Sequence, residues 1–259
     1  MMSKSLPRLE PMTIGMILDT TVRLYLQNAG LVIVITTLAF LPNLLFQVLF
    51  TLFTAAQAQR DTLPIIFGLL ASALWLLIAH PLSLGAATYA ISERYLQRPT
   101  SAKAALKAAA KRYGTLLWAQ ITVGLIIMGG VCLFIIPGII FTLAYSVVTP
   151  TVMLEAGSAR ESRRRSWDLT AGYRRKVAMV MLVVWVLIFI VTSAVGAILP
   201  WLFDEASLTG QVTMEIIEQL VSYVVFPFYT LPSVLLYYDL RIRKEGFDLE
   251  MLSQALTRV

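Results

Sequence analysis

The chain has 259 residues, 58% of them hydrophobic and only 14% charged, and 21 Lys and Arg against 15 Asp and Glu give it a formal charge of +6. Soluble domains average about 45–50% apolar and about 25% charged residues, and a soluble fold of this composition would expose large apolar patches and aggregate. An ordinary soluble enzyme or binding module is thereby excluded, and a single cysteine, Cys132, rules out an internal disulfide.

The first residues, MMSKSLPRLEPMTIGMILD, have no continuous apolar core and no small-residue cleavage site, so no cleaved signal peptide is expected. Residues 14–27 read as a short helix. Thr13 is its cap candidate, Ile14, Ile17, Leu18, Val22 and Tyr25 recur at helical spacing, and Asp19 and Arg23 form an i,i+4 pair. A first span follows at 31–53 and a second at 63–90, the latter bent at Pro81. Residues 102–112 form a helix with Lys103, Lys107 and Lys111 on one stripe and alanines on the others.

Spans three and four, 115–134 and 138–155, are divided only by IIPG, where Pro137 and Gly138 punctuate the run. A helix at 159–170 opens with the capping box Ser158…Glu161 and stops at Gly172. Arg160, Arg163 and Arg164 share one of its faces, and Ala159, Ser162, Ser166 and Leu169 another. Span five covers 177–199. A short outer segment carries Asp204, Glu205, Glu215 and Glu218, and span six covers 220–238. Its helix continues past Tyr237 and Tyr238 through Asp239, Arg241 and Arg243 to a stop at Gly246. A last short helix at 249–256 is stapled by Phe247 against Leu252.

The expected fold is therefore all-α, a single polytopic membrane domain of six transmembrane helices with short amphipathic cytoplasmic helices. Charge supports the count. With six spans, every Lys and Arg except Arg60 lies on one side, which the positive-inside rule makes the cytoplasm, together with both termini. Lys103, Lys107, Lys111, Arg160, Arg163, Arg164, Arg174 and Arg175 are then candidates for contact with anionic lipid headgroups or a partner protein.

Chemistry-bearing motifs are scarce. There is no GxxxxGK[ST], GxSxG or HExxH, and one His and one Cys make no metal set. No catalytic residue, metal or cofactor is expected. Nucleic acid is excluded as a partner, since membrane topology already accounts for the basic residues. The spans hold a sparse polar group, with His80, Asn43 and Gln120 as the candidate intramembrane site. Pro81 frees the carbonyl one turn back, which His80 is expected to serve, with a ligand or proton role as the alternative. Glu155, Asp239, Arg241 and Arg243 are read as a structural clasp, in which Asp239 or Arg241 pairs with groups near Glu155 and in 160–176.

The stretches PGIIFTLAYSVVTPTVMLE, SARESRRRSWDLTAGYRRK and LYYDLRIRKEGFDLE resemble a group of bacterial multi-span proteins labelled "glycerophosphoryl diester phosphodiesterase membrane domain". The resemblance implies a bacterial inner-membrane location and the membrane portion only. The hydrolytic chemistry of that label belongs to a separate soluble barrel, for which this chain has no room. The leading expectation is a non-enzymatic scaffold or accessory subunit, assembling with itself or with other proteins through its basic face. The alternative is a transporter, channel or lipid-handling protein. A headgroup enzyme using Glu155, Asp168 or Asp239 ranks last.

Overall fold

The computed structural model describes residues 10–56, 75–155 and 157–247, with positions 66, 68, 70 and 73 between them. Among these residues every regular element is helical. Five segments are long and apolar enough to cross a membrane: Ile14–Leu38, Tyr113–Leu133, Ile135–Leu154, Arg174–Leu202 and Leu208–Glu245.

Helix α1 (Ile14–Ala56) joins the expected helix at 14–27 to the span at 31–53. They are two helices that meet at a kink at Asn28, which is non-helical at φ −126° and ψ 17°, just past the expected end of the first. The Asn28 side-chain amide donates to the Leu24 carbonyl at 3.0 Å, so the kink keeps that acceptor satisfied.

A π-helical turn (Trp75–Ala79) leads into α2 (His80–Tyr95), which runs beyond the expected end of the second span; most of the first half of that span lies outside the described residues. The carbonyl freed by Pro81 belongs to Leu77, and it accepts from Tyr113 Oη at 2.6 Å. Tyr113, not His80, therefore serves it. The phenol reaches across from the next apolar helix, where the imidazole is turned elsewhere.

Helix α3 (Ala102–Lys111) is capped by Ser101. Its Ala105 and Ala109 are fully buried with Ala86 and Ala90 of α2, while Lys103, Lys107 and Lys111 stay exposed. Small side chains let these backbones approach closely, and the lysine stripe faces outward.

Helices α4 (Tyr113–Leu133) and α5 (Ile135–Ala144) are separated by one residue, Phe134. IIPG is thus the first turn of α5 rather than the break, and Pro137 sits where a missing N–H costs nothing. The turn is this tight because two glycines face each other. A Cβ on Gly138 would lie 2.3 Å from Val131 Cγ2, and one on Gly130 3.0 Å from the Gly138 nitrogen.

The expected fourth span is also broken, at Tyr145–Val147, before α6 (Val148–Leu154). Side chains supply what the break leaves open. Ser166 and Thr170 of α7 (Ala159–Thr170) donate to the Ala144 carbonyl at 2.8 and 3.3 Å. Ser233 donates to the Ser146 carbonyl at 2.6 Å. The small-residue face of α7 is buried for this purpose. The helix starts with the Ser158–Glu161 capping box, and Gly172 follows it at φ 85°.

Helix α8 (Arg174–Leu202) is followed by α9 (Leu208–Val225) and α10 (Pro227–Glu245). The segment expected as the sixth span is thus longer than 220–238, begins at Leu208 and is interrupted at Phe226. Glu215 and Glu218, expected in an outer loop, lie within α9. Helix α1 runs antiparallel to α9–α10 along its length. Thr51 donates to Glu215 at 2.8 Å, Gln219 to Gln47 at 2.6 Å, Tyr223 Oη to the Phe40 carbonyl at 3.2 Å, and Met12 N–H to Asp239 at 2.7 Å. Gly246, in the left-handed region at φ 63°, ends α10. The helix at 249–256 and the Phe247–Leu252 contact fall outside the described residues.

The outer surface of α4, α5 and α8 is apolar. Leu125, Met128, Leu182, Trp185, Phe189 and Ile190 are all more than 40% exposed, a belt suited to hydrocarbon rather than water.

Candidate functional site

The charges of α10 alternate every second residue, which places them on two faces about 200° apart at about 100° per residue. On one face stand Tyr237, Arg241 and Glu245. Arg241 donates to Glu245 at 3.0 Å and to the Tyr237 oxygen at 3.3 Å, and its guanidinium lies 4.1 Å over the Phe247 ring. Tyr237 donates to Glu155 at 2.9 Å. Arg165 of α7 closes the circuit, donating through Nε to both Glu155 oxygens at 3.1 and 3.0 Å and pairing through a terminal nitrogen with Glu245. Two acids and two arginines leave this circuit neutral. The Glu245 and Glu155 carboxylates hold the Arg165 proton more tightly than usual.

The opposite face carries Asp239 and Arg243. Asp239 is completely buried and takes three donors: Met12 N–H, Lys176 of α8, and Arg243 Nε at 3.1 Å to each oxygen. The Met12 carbonyl accepts in turn from Lys176 at 2.6 Å and from Arg243 at 2.9 Å. One carboxylate and one backbone carbonyl thus compensate two cations. Lys244 extends the tie by donating to the Asp168 carbonyl. The clasp residues Glu155, Asp239, Arg241 and Arg243 all come together at one end of the bundle. Every clasp carboxylate is occupied by donors, which fits a fastening and leaves none aimed at a substrate.

Arg112 completes this end. Its guanidinium donates to the carbonyls of Val152 (3.1 and 2.8 Å), Glu155 and Gly157 (3.2 Å). These are acceptors at and beyond the end of α6, where no N–H follows to satisfy them. In the sequence, Arg112 is one more basic residue before a span. Its partners lie some forty positions away, and nothing local marks it. Arg165, Lys176 and Met12 escape for the same reason, whereas the Arg241–Glu245 i,i+4 pair is legible.

The candidate headgroup contacts divide. Arg160, Arg164 and Arg175 are exposed, with Arg164 3.9 Å from Asp168. Arg163 and Arg174 are half-buried, Arg174 lying 4.2 Å over the Trp167 ring.

A cavity of about 870 Å³ lies between α2, α4, α8, α10 and the α5–α6 break. At about 1.5 Å per residue, Leu117–Met128 of α4 stand about 6–22 Å along the helix from its polar end, so the cavity sits at mid-depth. His80 and Gln120 line it, with His80 Nδ1 donating to Gln120 Oε1 at 3.3 Å. The break itself contributes Tyr145 and Ser146, in keeping with the rule that irregular backbone at membrane depth is buried or faces a cavity. Leu125, Met128, Trp185 and Tyr229 belong both to the lining and to the exposed surface, so the cavity opens sideways into the apolar belt. Asn43 is half-buried on α1 and is not part of the lining. The expected polar trio is a pair. Among the described residues no three His, Cys, Asp or Glu gather as a metal set.

These features define a helical protein with membrane-spanning segments, a clasped polar end and a lateral cavity. Compared with known protein families, curated proteins and solved structures, the chain matches none.

Proposed function

We propose that this chain is a non-enzymatic protein of the bacterial inner membrane that holds a lipid molecule within the bilayer. The observation that carries the reading is the cavity. Its volume lies within the range of small-molecule sites, about 300–1,000 Å³, its walls are mostly apolar, and its mouth is in the belt that faces hydrocarbon. The lipid-handling alternative is thus preferred to a pure scaffold. Six spans with both ends cytoplasmic fit the contact of Met12 with Asp239, which brings the start of α1 and the end of α10 to one side.

Gly124 supplies the test. It lines the cavity, and a Cβ there meets nothing within 4 Å, so Gly124→Phe fills the space without disturbing the backbone. Purified protein is exchanged into nanodiscs and its retained lipid is extracted and identified by mass spectrometry. Wild type should retain a lipid that Gly124→Phe loses at unchanged fold. Equal retention by both overturns the reading.

A second reading has its own observation. Lys103, Lys107, Lys111, Arg160 and Arg175 project from the clasped end and are exposed, a cationic face suited to anionic headgroups or to an acidic surface on another copy or another membrane protein. Size in nanodiscs, and flotation with vesicles of anionic or neutral lipid, distinguish these partners.

A further inference from the structure

The cavity lining contains no Asp, Glu, Lys or Arg. An anionic headgroup drawn into it would meet no permanent countercharge, only the His80 imidazole, whose Nδ1 already donates to Gln120, and an uncompensated charge in a low-dielectric interior is prohibitively costly. Yet the walls are not simply hydrocarbon. Thr88 Oγ1, Gln120 Nε2 and Thr230 Oγ1 all belong to lining residues, are enclosed, and have no hydrogen-bond partner among the described residues.

Threonine in a helix has an easy remedy, a bond back to the carbonyl four residues earlier. This chain uses it repeatedly, at Thr21, Thr36, Thr122, Thr142, Thr170 and Thr192. Thr88 and Thr230, at 0% and 1% exposure, do not. The two are also close in register. Helices α2 and α10 run parallel, fixed by the His80–Phe226 ring contact at 6.1 Å and by the Ser92–Tyr238 hydrogen bond at 2.6 Å. Thr88 stands two turns after His80, and Thr230 one turn after Phe226. Gln120 is tied to His80 on the same wall.

We infer that the cavity takes a lipid with an uncharged, hydroxyl-bearing head. The head is met by Thr88, Thr230 and the Gln120 amide, and the chain runs out past Leu125, Met128 and Trp185 into the belt. At 0% and 1% exposure neither threonine hydroxyl reaches the lumen of the cavity, so the head meets them only where the lining side chains around them part. The inference rests on the lipid-holding reading and specifies the headgroup.

Three diazirine probes with the same acyl chains test it in nanodiscs: a diacylglycerol, the matching phosphatidic acid, and a headless hydrocarbon. Cross-links are mapped by mass spectrometry to residues 117–128 and 142–149. The diacylglycerol should label these segments most strongly. Thr88→Val with Thr230→Val should weaken its half-saturation about three- to tenfold, the loss of one or two neutral hydrogen bonds. Labelling by the headless probe should be unmoved and the unfolding midpoint not lowered. Phosphatidic acid labelling the lining as well as diacylglycerol does overturns the headgroup inference and leaves the lipid-holding reading standing. So does a headless probe that labels best. No probe labelling wild type above Gly124→Phe overturns the reading itself. Where the double valine variant fails to fold, Gln120→Met and the three wild-type arms decide the matter.

Discussion

Replacing Asp239 tests the clasp most directly. The carboxylate is 0% exposed, while the Lys176 and Arg243 side chains it joins are 14% and 28% exposed. Asp239→Ala removes the acceptor for Met12 N–H, for Lys176 and for both Arg243 contacts, and leaves two half-buried cations facing each other. Breaking a buried pair from one side costs about 3–5 kcal/mol. Two features hold the value near the lower bound. Arg243 reaches solvent, and the Met12 carbonyl still accepts from Lys176 and Arg243 at 2.6 and 2.9 Å. We expect about 3 kcal/mol for Ala and about 2 kcal/mol for Asn, which keeps the Met12 acceptor but not the charge. Lys176→Met should cost about 1 kcal/mol, because Arg243 still neutralises the acid. Reversible unfolding in mixed micelles, followed by circular dichroism, gives the comparison. An Asp239→Ala variant within about 0.5 kcal/mol of wild type, the range of an ordinary surface substitution, refutes the reasoning. So does a Lys176→Met variant less stable than it.

Arg112→Lys should cost about 2 kcal/mol in the same assay, because an ammonium cannot fork across three carbonyls as the guanidinium does. Gly138→Ala should cost about 1–3 kcal/mol by overpacking against Val131, whereas Gly124→Ala, with open space around its Cβ, should gain about 0.5–1 kcal/mol; equal effects would refute the account of the α4–α5 turn. The Glu161 carboxyl lies below its ordinary value of 4.5, mainly because it accepts from the Ser158 backbone N–H. A depressed folded value means that its contribution is complete above pH 4.5 and fades as pH falls through the folded value. Amide exchange in the first turn of α7 should quicken over that acidic window, and Glu161→Gln should flatten the dependence.

What the sequence shows well is whatever a few neighbouring residues decide. Ser158 and Glu161 form their box within one turn, Gly246 ends α10 because it alone takes φ 63° at no steric cost, and the apolar runs announce the long helices. Elements go astray where punctuation is judged without its partner. IIPG reads as a turn until Gly130, eight residues before Gly138, shows that the chain has already reversed at Phe134. The break at Tyr145–Val147 has no Gly or Pro signal within it, since its acceptors are satisfied by Ser166, Thr170 and Ser233 from distant helices. The Tyr113–Leu77 bond is a similar case: Pro81 foretells a free carbonyl, but only packing selects the hydroxyl that fills it. Asp239 was legible as part of a fastening because it stands among charges at the end of an apolar run. That its partners are Met12 and Lys176 depends on α1, α8 and α10 meeting, which no local pattern encodes.

The Met12–Asp239 bond joins positions 227 residues apart, and that separation has a bearing on how the protein is made. A ribosome delivers Met12 and Lys176 long before it delivers Asp239. Until the last helix emerges, one backbone carbonyl and one amine wait at the membrane surface without the acid that couples them. The fastening therefore closes last, and only around a chain whose earlier helices have entered in the right order and orientation. A chain truncated before position 239, or one with a helix inserted backwards, keeps an open polar end, with Met12 and Lys176 lacking the acid that joins them.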